Sequence, residues 1–125
     1  MIFKLKTSKT TMEIFEEVGA SVRLQPFALA KIAIALSIRD EKELSEKDFK
    51  TNNDGLELNR QTITGEWDEL YKGLVEMFEG RHISDDDYFQ KYLKAHLDRG
   101  ARLLYSEFKY NNDFILSLLS EKSGI

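Results

Sequence analysis

The sequence predicts a mainly α protein with a ribbon-helix-helix-like N-terminal unit, a short strand plus two helices, elaborated by C-terminal helices into one compact domain. Three observations predict it. "IFKLKT" alternates apolar and polar residues, which is the period of a strand. "QPFALAKIAIALSI" is apolar or alanine on nearly every face, which is the composition of a buried helix. The last sixty residues carry apolar side chains at three- and four-residue spacing. A chain of 125 residues is long enough for one self-sufficient core and short enough that one domain, 1–125, is the default. Within it the pattern separates a ribbon-helix-helix-like part, 1–39, from a helical part, 40–125.

In the first strand, Phe3 and Leu5 are expected on one side and Lys4 and Lys6 on the other. So short a strand needs a partner. Two copies pairing across a two-fold axis would make a ribbon that fits a DNA groove. Ser8 or Thr10 caps a helix running to about Arg23, with Met12, Phe15, Val18 and Val22 on one stripe. Pro26 suits the first turn of a second helix reaching Ile38. Because that helix is greasy all round, it is expected to be wrapped by a second subunit as well as by its own chain.

A short turn, Ser45 to Phe49, precedes "DGLELNRQTITGEW", 54–67, a polar and β-prone segment among helices. Leu56 and Leu58 are expected to anchor it. Thr64 caps the next helix, whose face is Trp67, Leu70, Tyr71, Leu74, Met77 and Phe78 and whose end is Gly80. Ser84 with Asp87 resembles a capping box and opens one long helix, 85 to about 109. A short final helix from Asn112 to near Leu119 closes the chain.

The charge is uneven. The formal total is −4, yet residues 1–39 hold six Lys/Arg against three acids, and the remainder twelve against nineteen. A polyanion would therefore meet the N-terminal end. Lys4, Lys6 and Lys9, with Arg23, Gln25 and Lys31 around the start of the second helix, are the candidate DNA-binding residues. Backbone N–H groups near Gln25 would face a phosphate. The other explanation for the strand lysines is an edge kept polar against aggregation. Lysines hold phosphates but read bases poorly, so any DNA contact is expected to be to the backbone.

Arg60 and Arg99 have two options each, a phosphate or a carboxylate. The carboxylate is preferred, with Glu66 or Asp98 as partner. Gly100, beside Arg99, permits close helix contact on an inner face. Replacing Arg60 by Ala is expected to disturb assembly more than helix content. His82 and His96 are too isolated for a metal pair. Asp85, Asp86 and Asp87 suit a helix's positive end better than a cation. Tyr88, Tyr92, Tyr105 and Tyr110 suit packing.

No cysteine is present, which excludes thiol chemistry and suits a reducing, cytoplasmic location. Ser8, Thr10 and Thr11 lack a neighbouring base, and no glycine-rich phosphate loop occurs. No catalytic residue, cofactor, metal or membrane contact is expected.

"RLQPFALAKIAIALSI", "ELNRQTITGEWDELY" and "HLDRGARLL", in that order, resemble the DndE family of the bacterial DNA phosphorothioation system. The likeness covers nearly the whole chain. It implies a helical, tetrameric accessory protein of a machinery that replaces a non-bridging phosphate oxygen of DNA with sulfur. It implies binding to double-stranded, preferably nicked, DNA through surface lysines, for which Lys4, Lys6 and Lys9 are the matching positions. It also implies DndC-like (sulfur-transfer) and DndD-like (ATPase) subunits as partners. A docking module for those subunits, with little DNA contact, is the alternative. His96 joins Arg60, Glu66, Arg99 and Gly100 as structural or interface residues.

Overall fold

A computed structural model describes residues 1–110. The short helix expected from Asn112 lies outside the described residues. The chain runs β1 (Lys4–Lys6), α1 (Lys9–Val22), α2 (Pro26–Arg39), α3 (Glu46–Phe49), β2 (Glu57–Asn59), α4 (Arg60–Ile63), a tight 3₁₀ turn (Gly65–Trp67), α5 (Asp68–Glu79), α6 (Asp85–Asp87), a wide π turn (Tyr88–Leu93) and α7 (Lys94–Tyr110).

β1 finds its partner inside the chain. It pairs antiparallel with β2, placing Lys4 opposite Asn59, Leu5 opposite Leu58 and Lys6 opposite Glu57. The ladder extends through Thr7 N–H to Leu56 O at 2.8 Å and Arg60 N–H to Phe3 O at 2.7 Å. The partner strand thus comes from the polar middle segment rather than from a second copy's β1. Leu5 and Leu58 seal the inner face. Phe3, expected beside Leu5, is 65% exposed. It lies one residue before β1, at the open end of the ladder, where its backbone still accepts from Arg60 N–H but its side chain is left outside the core.

α1 begins where Ser8 accepts a hydrogen bond from Thr11 N–H, and ends at Arg23 in the left-handed conformation, φ 58°. Pro26 occupies the first turn of α2, as its fixed φ favours. α2 lies against α7 in the main helix–helix contact, and Gly100 makes that contact possible. A Cβ there would overlap the backbone carbonyl of Ala33. Its own chain does not bury α2 all round: Phe27, Lys31 and Ala35 form an exposed row.

The long C-terminal helix is continuous from Asp85 but contains the π turn, whose extra residue rotates its side chains. That turn buries Tyr88, Phe89, Tyr92 and Leu93 together. They join Leu29, Ile34, Ile63, Leu97 and Leu104 in the core. α5 departs most from expectation. Only Val75 is fully buried on it, while Trp67, Leu70, Leu74 and Met77 face outward. Nor does Thr64 cap α5; its one hydroxyl proton is directed to the Asp68 carboxylate at 2.7 Å, with Arg60 O a longer acceptor at 3.1 Å. Among the described residues no single helix is long and apolar enough to cross a membrane.

Candidate nucleic-acid interface

The cations of this chain divide into an enclosed set and an exposed set. Arg60 leads the first. It follows β2 directly, so its side chain enters the gap between the sheet, α5 and the start of the long helix. Its Nε and Nη2 donate to both oxygens of Asp68 at 3.1 and 2.6 Å. Its Nη1 and Nη2 donate to both oxygens of Asp85 at 3.1 and 2.7 Å. The remaining Nη1 proton goes to Ile2 O at 2.9 Å. A guanidinium has five N–H donors, and all five are used. The rings of Tyr88 and Phe89 stack within 5.4 and 4.8 Å of its central carbon.

This closes the choice between phosphate and carboxylate. Arg60 has no donor left for a phosphate, and its partners are Asp68 and Asp85, not Glu66. Glu66 points to solvent from the 3₁₀ turn. The hydrogen bonds to Asp85, helped by those to Asp68, push the guanidinium's pKa further up. Burial opposes the charge on Asp68, but bonds from Arg60, Thr64 and Tyr88 outweigh it and hold the carboxyl below its usual range. The Arg60 hydrogen bond, first, does the same for Asp85. Burial, then the Asp68 charge, pushes the Tyr88 phenol up, so it donates to Asp68 at 2.9 Å.

Arg99 caps a helix end. Its Nη2 donates to Ser37 O at 2.6 Å, its Nη1 to Lys42 O at 2.6 Å and its Nε to Ser37 Oγ at 2.8 Å. Those carbonyls belong to the last turn of α2 and the loop after it, where a cation offsets the helix's negative end. Asp98 is not its partner. Asp98 is fully buried and accepts from Ser8 N–H, Thr11 Oγ1, Thr51 Oγ1 and Lys94 Nζ at 3.1, 2.7, 2.6 and 2.7 Å. That carboxylate ties the start of α1 and the 51–52 loop to α7.

His96 lies on the same wall. Ser37 Oγ accepts from Arg99 Nε and shares a second hydrogen bond with His96 Nδ1 at 2.8 Å. Among the described residues Nε2 has no hydrogen-bond partner. Phe78 stands edge-on to the ring at 4.7 Å. Burial, then the Arg99 charge, pushes the His96 pKa down to about 4, so the ring is neutral at pH 7.

The exposed set is at the N-terminal end. Lys4 and Lys6 project from the outer face of β1, and Lys9 opens α1. Among the described residues Lys6 and Lys9 make no ion pair, while Lys4 lies 3.4 Å from Glu57 with both side chains more than half exposed. Arg23, Gln25 and Lys31 are exposed too. Arg23 ends α1, Gln25 precedes α2, and Lys31 lies over the Phe27 ring at 5.6 Å. The structure does not gather all six. The fourteen residues of α1 put about 21 Å between Lys9 and Arg23. The outer side of α1 between them carries Glu13, Glu16 and Glu17. There are therefore two basic ends separated by an acidic span.

The partnerships that Asp68, Asp85, Thr64, Tyr88, Asp98 and Lys94 form here are not read from the sequence, although all but Lys94 have local roles legible in it. Of these partnerships only the Lys94–Asp98 pair, four residues apart on one helix, left a local signal. Among the described residues no three His, Asp or Glu side chains converge as metal ligands would.

These features define a class: a small, mainly α domain in which Arg60 and Arg99 are committed to its own interior while Lys4, Lys6 and Lys9 stay exposed around the two-stranded sheet. The chain belongs to the DndE family, whose sequence model, described as DNA sulphur modification protein DndE, matches residues 4–112. It is similar in fold to DndE from Escherichia coli B7A, described as involved in DNA phosphorothioation modification. The two share 20% identity at a TM-score of 0.66 over 81% of this chain and 96% of that one. A DndE mutant with two glycines changed to lysine, described as involved in DNA phosphorothioation, matches with 20% identity and TM-score 0.66 over 83% and 98%. No curated protein matches the chain.

Proposed function

We propose that this protein is a non-catalytic accessory subunit of the DNA phosphorothioation machinery that contacts the backbone of duplex DNA, with a preference for nicked duplex. Family membership supports the accessory role. The observation that carries the contact is the position of Lys4, Lys6 and Lys9 on the outer face and exit of β1. These amines are solvated and can release counterions from phosphate. The buried Arg60 and Arg99 cannot, and a contact made by these lysines rests on point charges and is blind to base sequence. One chain offers few such charges. In this proposal several copies, a tetramer in the cytoplasm, present their basic ends together, and the DndC-like and DndD-like subunits supply the chemistry.

Binding of nicked and intact duplex, measured by gel shift over a salt series, tests this. If two copies neutralise about six phosphates, log affinity falls against log salt with a slope of roughly −5. The Lys4→Gln/Lys6→Gln/Lys9→Gln variant is expected to lose binding on both duplexes and keep its helix content. Undiminished binding by that variant overturns the DNA contact. The exposed apolar side of α5 would then favour the second reading, a docking module for the other subunits.

A further inference from the structure

α5 keeps its apolar row on the outside. Trp67, Leu70, Leu74 and Met77 are 60%, 57%, 38% and 79% exposed. At about 100° per residue they lie along one side of the helix. Glu66 and Glu69 stand beside them and Gly73 continues that row, while the Glu76 carboxylate one turn further accepts from Ile83 N–H at 2.9 Å and pairs with His82. Gly73 is the informative residue. A glycine inside a helix costs about 1 kcal/mol relative to alanine, and a close approach within the fold normally accounts for one. Here a Cβ would meet nothing within 4 Å. Packing among the described residues does not use the notch that Gly73 leaves in an exposed apolar surface.

We propose that this face is the docking site for an amphipathic helix of a partner protein. That helix would have an apolar row to cover Trp67, Leu70, Leu74 and Met77, and a Lys/Arg row to meet Glu66 and Glu69 across Gly73. Charge selects this occupant. Two copies of α5 packed face to face would set acidic row near acidic row. The basic row on α2 of a second copy offers Phe27, Lys31 and Ala35, with only one large apolar side chain for four. The inference deepens the accessory role and does not depend on DNA contact by Lys4, Lys6 and Lys9.

Trp67 is the only tryptophan, so its emission reports this face alone. The full chain is titrated with two synthetic amphipathic helices sharing one leucine row, one rimmed with Lys and Arg, the other with Glu. The basic helix is expected to shift Trp67 emission to the blue, saturably and less tightly at higher salt, and the acidic helix to leave it unchanged. Gly73→Lys fills the notch with a like charge for the basic helix, in open space where the fold is not strained. It should weaken binding by about tenfold. The lysine variant Lys4→Gln/Lys6→Gln/Lys9→Gln should bind the basic helix as the parent does, which separates this outcome from failure of the DNA reading. No shift with either helix, equal shifts with both, or undiminished binding by Gly73→Lys overturns the proposal. A blue shift that grows with protein concentration alone also overturns it, in favour of a second copy.

Discussion

Arg60 and Lys4 lie at opposite faces of the same two-stranded sheet and have opposite fates. Arg60 is buried, with every N–H donor matched to an oxygen of the chain. Lys4 is solvated and has one acid at 3.4 Å. The difference follows from side-chain chemistry. A planar guanidinium spreads its charge over five directed donors and can be fully satisfied inside a protein. An ammonium is strongly hydrated and stays outside unless three oxygens converge on it. Lys94 shows that exception, with Asp98, Thr51 and Asn52 O around it. A cation's place in the sequence therefore says less about its role than how many of its donors the fold has used.

The largest effect expected from this comparison is on Arg60. Arg60→Ala removes the one cation between Asp68 and Asp85, leaving both charges together with only Thr64 and Tyr88 to support Asp68. Breaking a buried pair this way costs roughly 3–5 kcal/mol. Urea unfolding followed by circular dichroism is expected to show that loss. Because the donors are internal, the loss falls on the fold itself and not on assembly alone, as the sequence had suggested. Arg60→Lys should recover only part of it, since an ammonium cannot form two bidentate pairs. A wild-type midpoint for Arg60→Ala would mean that the cluster contributes nothing to folding.

The second effect concerns His96, enclosed among Ser37, Phe78 and Arg99. Its pKa is about 4 in the fold, against 6.5 for a solvated imidazole. Between those values the unfolded chain binds the proton and the folded chain does not. Stability is thus intact above pH 6.5 and falls as pH drops toward 4, by a total on the order of 3 kcal/mol. Asp48, Asp68 and Asp85 have pKa values lowered from 3.8, so their contribution is lost at more acid pH. The urea midpoint at pH 5 is expected to lie well below that at pH 7. His96→Gln should flatten the difference, whereas His82→Gln, at an exposed site, should leave it. An unchanged slope in His96→Gln would remove His96 as its source.

These interior sites also show what the sequence could and could not carry. α1, α2 and α7 were legible because their apolar spacing and caps are local. Strand β1 was legible by alternation, but its partner lies more than fifty residues away, and no local pattern records such pairing. Arg60 was read against Glu66 because Glu66 is near in sequence. The fold instead brings Asp85 across twenty-five residues. The run Asp85–Asp87 looked like a complement to a helix end, and its first member serves Arg60 as well. The apolar row of α5 was found, but periodicity does not tell which side of a helix meets the core. Gly100 lay on an inner face in the sequence, and the fold sets it against the Ala33 backbone.

The smallest effect sharpens the comparison at Lys4. Glu57 stands opposite Lys6 in the ladder and 3.4 Å from Lys4 on the surface. An exposed pair of this kind contributes little to folding, so Glu57→Gln should change stability by less than about 0.5 kcal/mol. Its effect on a polyanion has a definite sign. Removing one negative charge from beside two amines raises the local potential, and duplex affinity at low salt should rise by a factor of about two to five. The gain should vanish at high salt, because screening removes what the charge contributed. It should also vanish in the Lys4→Gln/Lys6→Gln/Lys9→Gln background, where no amine remains on β1. A gain that persists there would mean general repulsion of DNA by the acidic body. No gain in the parent would mean that the phosphate backbone does not approach β1, and the exposed cations of Arg23 and Lys31 would be the remaining place to look.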